Sequence, residues 1–314
     1  MNKTPDISLI VPMYNEHEVI DIFFDKIKQV LAKIQNYSYE IICINDGSKD
    51  NTLDILKTYA EKDKRIKIIS FSRNFYKEQA LFAGLEHSTG KAVIPMDVDL
   101  QDPPELILEF VKKWEEGYDV VYGMRADRRD DGFLKKISAL AFYKLYNLIA
   151  ERPVPYNTGD YRLMSRRVVE AVKQIKEKKL FMKGVFNWVG FKSCGIPYKR
   201  PERAAGTTKW NYWKLWNFAL DGITSSTTLP LRVWTYVGGL IAIFSFIAAS
   251  YVIIKTLMFG DPVRGFPTLA VMILFFGGIQ LIALGIIGEY IGRIMAEVKN
   301  RPLYIIEEKV NFDE

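Results

Sequence analysis

The chain has 314 residues, 49% of them apolar and 25% charged, and a net charge of +6. That length is too great for one small core and predicts one large domain plus a second element. Two histidines exclude a His-rich metal centre, and the two cysteines, Cys43 and Cys194, fit no zinc or CxxC spacing.

A modest positive charge suits nucleic acid, a membrane surface or anionic substrates. The apolar residues decide between these, because 233–254 and 267–288 carry no charge at all. The membrane is favoured and nucleic acid is set aside. Met1 to Ile10 holds no apolar run of signal-peptide length, so the large domain is expected in the cytosol, where free thiols persist.

In chain order, Ile7–Pro12 predicts a buried strand ending at a proline. Residues 16–35 have helical spacing, with Val19, Phe23, Ile27, Val30 and Ile34 on one stripe. Glu40–Ile44 predicts a second strand, followed by Asn45–Asp46–Gly47–Ser48; 50–62 suits a helix and Ile66–Ser70 a third strand. Lys77–Glu86 is helical, and Ala92–Met96 is a fourth strand running into Asp97. Pro103 and Pro104 open a helix through Trp114, and Asp119–Tyr122 is another strand. This alternation predicts a mainly parallel α/β sheet. Such sheets bind ligands at the carboxyl ends of their strands. Three polar clusters fall there: Tyr14–Asn15–Glu16, Asn45–Asp46–Gly47–Ser48 and Asp97–Val98–Asp99.

Residues 133–150 and 209–223 are basic and amphipathic, the second with three tryptophans. They read as interfacial helices with aromatics at headgroup level, or as helices packed on the sheet. The two charge-free runs are each about 20 residues, enough to span a bilayer. Gly260–Asp261–Pro262 and Arg264–Gly265 separate them. Arg232 precedes the first run, and Arg293, Lys299 and Arg301 follow the second, which places both termini in the cytosol. Gly277, Gly278, Gly285, Gly288 and Gly292 let helices approach closely, so a homo-oligomer is expected; glycine tolerance in membrane helices is the alternative. The expected organisation is a globular domain over 1–208, a juxtamembrane helix over 209–232, a two-helix membrane domain over 233–295 and a cytosolic tail over 296–314.

Asp97 and Asp99 lie two apart on an extended segment and so point the same way. Such a pair suits a hard divalent cation, Mg²⁺ or Mn²⁺, that also neutralises a diphosphate leaving group. Asp46 reads either as a turn former or as a hydrogen-bonding partner of a nucleotide base. Pro12, Tyr14, Asn15 and Glu16 would wall the base and ribose. Asp160, within Asn157–Arg162, is a catalytic carboxylate or a helix N-cap. Arg162 is its partner or a phosphate ligand. Arg125, Arg128 and Arg129, with Arg203 and Lys209, would grip phosphates or form a basic face against anionic lipid.

The motifs VPMYNE (11–16), NDGSKD (45–50), SRNFYKEQA (72–80), DVDLQDPPE (97–105), NTGDYRLM (157–164), FMKGVFNWVG (181–190) and GTTKWNYWKLWNFALDG (206–222) together resemble family 2 glycosyltransferases. These have the type-A (GT-A) nucleotide-sugar fold. The closer resemblance is to polyprenyl-phosphate glycosyltransferases, including bactoprenol glucosyltransferases and dolichol-phosphate mannose synthases. The resemblance covers nearly the whole chain. It implies a nucleotide-sugar donor, with UDP-glucose favoured, a polyprenyl phosphate acceptor and inverting transfer on the cytosolic face of the cell (inner) membrane. It implies that Pro12, Tyr14, Glu16 and Asp46 hold the nucleoside. Asp97 would contact the nucleotide, and Asp99, with Gln101, the metal. Asp160 would stand at the acceptor phosphate as a catalytic residue with Asp99, and Arg125, Arg128 and Lys209 would bind phosphates. Val98 stands where alanine is common, and its side chain is expected to point away.

A phosphate acceptor with a second pKa of about 6 is largely dianionic near neutral pH. Asp160 is therefore expected to orient the acceptor rather than to deprotonate it. A processive polysaccharide synthase would carry a QxxRW motif and more membrane helices. A catalytically silent scaffold would have degraded acidic motifs, whereas Asp46, Asp97, Asp99 and Asp160 are all present. A dehydrogenase would need a Gly-rich loop where PMYNE stands.

Overall fold

The computed structural model describes residues 4–34, 36–126, 157–175, 177, 182–199 and 265–312, with isolated helical residues between 238 and 259. Two compact units divide the chain: residues 1–222 with 301–314, and residues 223–300.

In the first unit the strands are β1 (Ile7–Met13), β2 (Tyr39–Asn45), β3 (Ile66–Phe71), β4 (Ala92–Pro95), β5 (Val120–Arg125), β6 (Thr158–Ser165), β7 (Ser193–Tyr198) and β8 (Ile306–Val310). The helices are α1 (Ile20–Leu31), α2 (Thr52–Lys62), α3 (Lys77–His87), α4 (Leu106–Glu115), α5 (Arg166–Lys173) and α6 (Met182–Trp188). The strands form one sheet in the order β7-β5-β6-β4-β1-β2-β3-β8. Strands β4, β1, β2 and β3 are parallel, as are β5 and β7, whereas β6 and β8 run antiparallel to their neighbours.

Central strands buried on both faces need continuous apolar runs, and β1 is buried at six of its seven positions. Because successive side chains point to opposite faces, Leu9 and Val11 join α1, α2 and α4 on one side. Ile10 joins α3, α5 and α6 on the other. The expected stripe of α1 is buried throughout, from Val19 to Ile34. Helix α4 starts after Pro103 and Pro104 rather than with them.

Strands β6, β7 and β8 do not announce themselves by alternation. β8 pairs antiparallel with β3, and Asn311 Nδ2 donates to the carbonyls of Ala60 and Ile66 at 2.7 and 2.8 Å. The Tyr304 ring stacks on Phe71 with centroids 4.9 Å apart. The tail beyond residue 296 thus contributes a strand to the sheet.

At the amino ends of the strands lies buried Glu40. Its Oε1 accepts from Ser8 Oγ at 2.5 Å and from Thr89 N and Oγ1, both at 2.9 Å. Its Oε2 meets Lys67 Nζ at 2.8 Å. Both cysteines are free thiols.

In the second unit, α7 (Phe266–Val298) has 33 residues, about 50 Å of helix. Its stretch Phe275–Val298 is long and apolar enough to cross a membrane, and none of it is buried. It is the one such helix among the described residues. The segments 133–150 and 209–223, most of 233–254, and the break at 260–264 lie outside the described residues.

Candidate active site

Strands β2 and β3 extend the sheet from β1 in one direction and β4 lies on the other side. The loops leaving β1 and β4 therefore part, and the crevice between them is where open α/β sheets take ligands. The loops after β1, β2, β3 and β4 all emerge at this edge. Antiparallel β6 brings its first residues to the same edge, since Ala92 pairs with Ser165 and Val93 with Met164. Asp160 is thereby delivered beside Asp97. It lies within a strand, which removes the helix N-cap reading.

The loops after β1 and β2 are locked together. Asn15, at a left-handed φ of 53°, accepts from Lys49 N at 2.8 Å and donates its backbone N–H to Ser48 Oγ at 3.0 Å. Glu16 N donates to Thr52 Oγ1 at 2.9 Å. Pro12, Tyr14, Asn15 and Glu16 are half-buried along this wall. Gly47 has φ of 63°, and a Cβ there would lie 2.3 Å from the Arg73 carbonyl carbon. Only glycine fits such an approach.

Asp46 is buried, and its Oδ1 accepts from Phe75 N at 2.6 Å. Burial pushes its carboxyl up to about 6, against the opposing backbone N–H groups of Phe75 and Tyr76. The structure thus ties the β2 loop to the loop 72–76.

That loop delivers Lys77, the first residue of α3. Its Nζ lies 2.6 and 2.8 Å from the two Asp97 carboxylate oxygens and 3.2 Å from Asp160 Oδ2. Desolvation works against the Lys77 ammonium, but the charges of Asp97 and Asp160 outweigh it and raise its pKa. Burial likewise works against the Asp160 carboxylate, yet Lys77, Lys183 and Arg162 hold it down at about 2. Asp160 Oδ1 is buried and has no hydrogen-bond partner among the described residues. Beside it, burial and the Asp160 charge push Glu78 up to about 7, and Glu78 Oε2 accepts from Met182 N at 3.0 Å.

Asp99 is half-buried and its Oδ1 accepts from Gln101 N at 3.2 Å. Asp99 and Gln101 offer the hard oxygen donors that Mg²⁺ and Mn²⁺ take. No three acidic, histidine or cysteine side chains converge among the described residues. A cation held by Asp99 and Gln101 would therefore take its remaining positions from phosphate oxygens. Val98 is buried in the core cluster that also holds Met96 and Leu100.

Arg125 ends β5 opposite Tyr198 of β7. The Tyr198 hydroxyl donates to buried Asp102, and Arg125 hydrogen-bonds the same tyrosine. Arg162 is buried, donates from Nη2 to the Gly159 carbonyl at 2.7 Å and lies 4.4 Å over the Phe186 ring. Arg128, Arg129, Arg203 and Lys209 lie outside the described residues.

Sequence reasoning gave no role to Lys77, Glu78, Asp102, Lys183 or Tyr198. The available signal was that SRNFYKEQA follows a strand, as the other three polar clusters do.

Comparison with known proteins agrees with this architecture. Residues 8–173 match the Glycosyl transferase family 2 domain, and residues 229–294 match the GtrB C-terminal hairpin. The SfII prophage-derived bactoprenol glucosyl transferase of Shigella flexneri is 53% identical over 96% of this chain and 97% of its own. An uncharacterized glycosyltransferase of Synechocystis is 51% identical over 97% of this chain and 96% of its own. A solved mannosyltransferase from Pyrobaculum calidifontis, in complex with GDP-Man and Mn²⁺, covers 95% of this chain and 88% of its own at 17% identity, with a TM-score of 0.47. With the domain match covering more than half of its length, and relatives above 50% identity covering nearly all of it, this chain belongs to glycosyltransferase family 2.

Proposed function

We propose that the protein transfers glucose from UDP-glucose to a polyprenyl phosphate at the cytosolic face of the cell membrane. The observation that carries this reading is the match to bactoprenol glucosyl transferases over 96% of this chain and 97% of theirs, spanning both the family 2 domain and the hairpin. The hairpin match and the apolar stretch Phe275–Val298 support two membrane spans, and the basic residues Arg232, Arg293, Lys299 and Arg301 outside them support cytosolic termini, with the connecting turn on the opposite side of the membrane. Self-association through the Gly288 and Gly292 face belongs to the same reading.

In this reading Asp46 and the wall from Pro12 to Glu16 hold the nucleoside, and Asp97 orients the donor. Asp99 and Gln101 would hold a divalent cation, which when bound neutralises charge on the departing diphosphate. Arg125, placed through Tyr198 and Asp102, binds a phosphate, with Arg128, Arg129 and Lys209 as further cations. The acceptor phosphate oxygen attacks the anomeric carbon as the C1–O bond to the nucleoside diphosphate breaks. The electron pair leaves with that diphosphate, and the configuration inverts.

A carboxyl held at about 2 is a poor proton acceptor. This supports orientation of the acceptor as the task of Asp160, through the cations around it.

The test supplies the purified chain with undecaprenyl phosphate, Mg²⁺ or Mn²⁺, and a panel of labelled UDP- and GDP-sugars. Label is expected in the lipid phase from UDP-glucose and to be absent in Asp99→Asn. No transfer from any donor by the intact protein would sink the assignment.

A further inference from the structure

Strand β4 hands its loop to Asp97 and antiparallel β6 carries Asp160 near its start, so a donor-side and an acceptor-side carboxylate stand at one edge of the sheet. A single ammonium joins them. Lys77 Nζ is within 2.8 Å of both Asp97 oxygens and 3.2 Å from Asp160.

The position of this ammonium is fixed from the far side of the site. Phe75 N is held by Asp46 Oδ1 and Tyr76 N by Asn74 Oδ1 at 3.1 Å. Tyr76 itself takes a left-handed φ of 74°. Such a conformation in a large residue persists only where its surroundings over-determine it. Here they aim the first side chain of α3 at the two carboxylates.

Without Lys77, the Asp97 and Asp160 carboxylates would present uncompensated negative charge to an incoming phosphate. Arg162 cannot replace it at both, because its Nη2 is committed to the Gly159 carbonyl and its guanidinium lies on Phe186. Asp160 Oδ1, buried and without a hydrogen-bond partner among the described residues, marks the side of the pair left for a ligand.

We infer that Lys77 is a positioning residue that ties Asp97 to Asp160, fixing the donor half of the site against the acceptor half. This rests on the reading of the site as a polyprenyl-phosphate glycosyltransferase. Lys77 sets the geometry of the two carboxylates and cancels their charge as the phosphate approaches.

The test uses the full chain in detergent with Lys77→Met, Lys77→Arg, Asp160→Asn and the Lys77→Met/Asp160→Asn pair. Misplacement of reacting groups costs about 100-fold, so Lys77→Met is expected to lower kcat by that order with donor KM changed less than about threefold. Lys77→Arg should recover at least about tenfold of the loss, since it retains the charge. In the Asp160→Asn background, removing Lys77 should cost less than about threefold, because coupled residues are not additive. A kcat loss below about tenfold for Lys77→Met, or losses that multiply in the pair, overturns the inference.

Melting temperatures of the same four proteins give a measurement that needs no donor. Lys77→Met leaves a buried carboxylate unpaired, and Asp160→Asn should then restore part of the lost stability. Additive shifts would overturn the bridge even if the intact protein transferred no sugar, an outcome that would defeat the proposed function separately.

Discussion

Replacing Asp46 with asparagine should stabilise the unliganded protein at pH 8 and weaken donor binding at the same time. Asp46 is 3% exposed, and burial raises its carboxyl from 3.8 to about 6. At 1.36 kcal/mol per unit, keeping it ionised costs the fold at most about 3 kcal/mol. The folded state binds this proton more tightly than the unfolded state. Its contribution is therefore fully present below about pH 4 and is lost as pH rises through about 6. Asparagine keeps an oxygen for the Phe75 N–H but carries no charge to desolvate. Its amide N–H groups need new acceptors, which should reduce the gain to about 1 kcal/mol. Urea denaturation of both proteins in the same detergent, between pH 5 and pH 8, isolates the effect, because all other titrating groups are shared. The stability difference should grow in favour of Asp46→Asn as pH rises and then level off. Calorimetry should show UDP bound at least about tenfold more weakly by the variant, since a charged acceptor is lost. A difference that does not change with pH, or that falls as pH rises, would refute the reasoning.

The remaining expectations concern other parts of the same unit. Glu40→Ala leaves Lys67 without its partner and Ser8 and Thr89 without their acceptor; denaturation should show a loss of about 3–5 kcal/mol, with donor KM unchanged because Glu40 lies at the amino ends of the strands. Gly47→Ala places a Cβ 2.3 Å from the Arg73 backbone, so donor KM should rise by about tenfold or more as the loops after β2 and β3 separate. Tyr304→Ala removes the ring stacked on Phe71, and chemical denaturation should report about 2 kcal/mol lost through β8. Chelation should abolish transfer, and added Mg²⁺ or Mn²⁺ should restore it in the intact protein but not in Asp99→Asn.

Local physics made much of this protein legible in its sequence. Parallel strands buried on both faces read as apolar runs, so β1 to β5 lie close to where periodicity places them. The stripe from Val19 to Ile34 is the buried face of α1 and its flanks. The clusters after β1, β2 and β4 were recognisable because a polar run directly after an apolar strand marks a strand end. The charge-free run 267–288 falls within α7.

Other features depend on pairing between distant segments, which no window of sequence contains. β6 carries polar residues where it meets the site, and its antiparallel direction, set by β4 and β5, is what puts Asp160 beside Asp97. β8 is too short and too charged to announce a strand, and only the free edge of β3 gives it one. Lys77 looked like an ordinary first-turn lysine. Its contacts exist because Asp46 holds the preceding loop and β6 returns from more than 80 residues away along the chain. The sequence by itself determined which residue types could bind a nucleotide sugar. Tertiary structure decided which charges share a low-dielectric edge, because charge pairing depends on distance in space and not on separation along the chain.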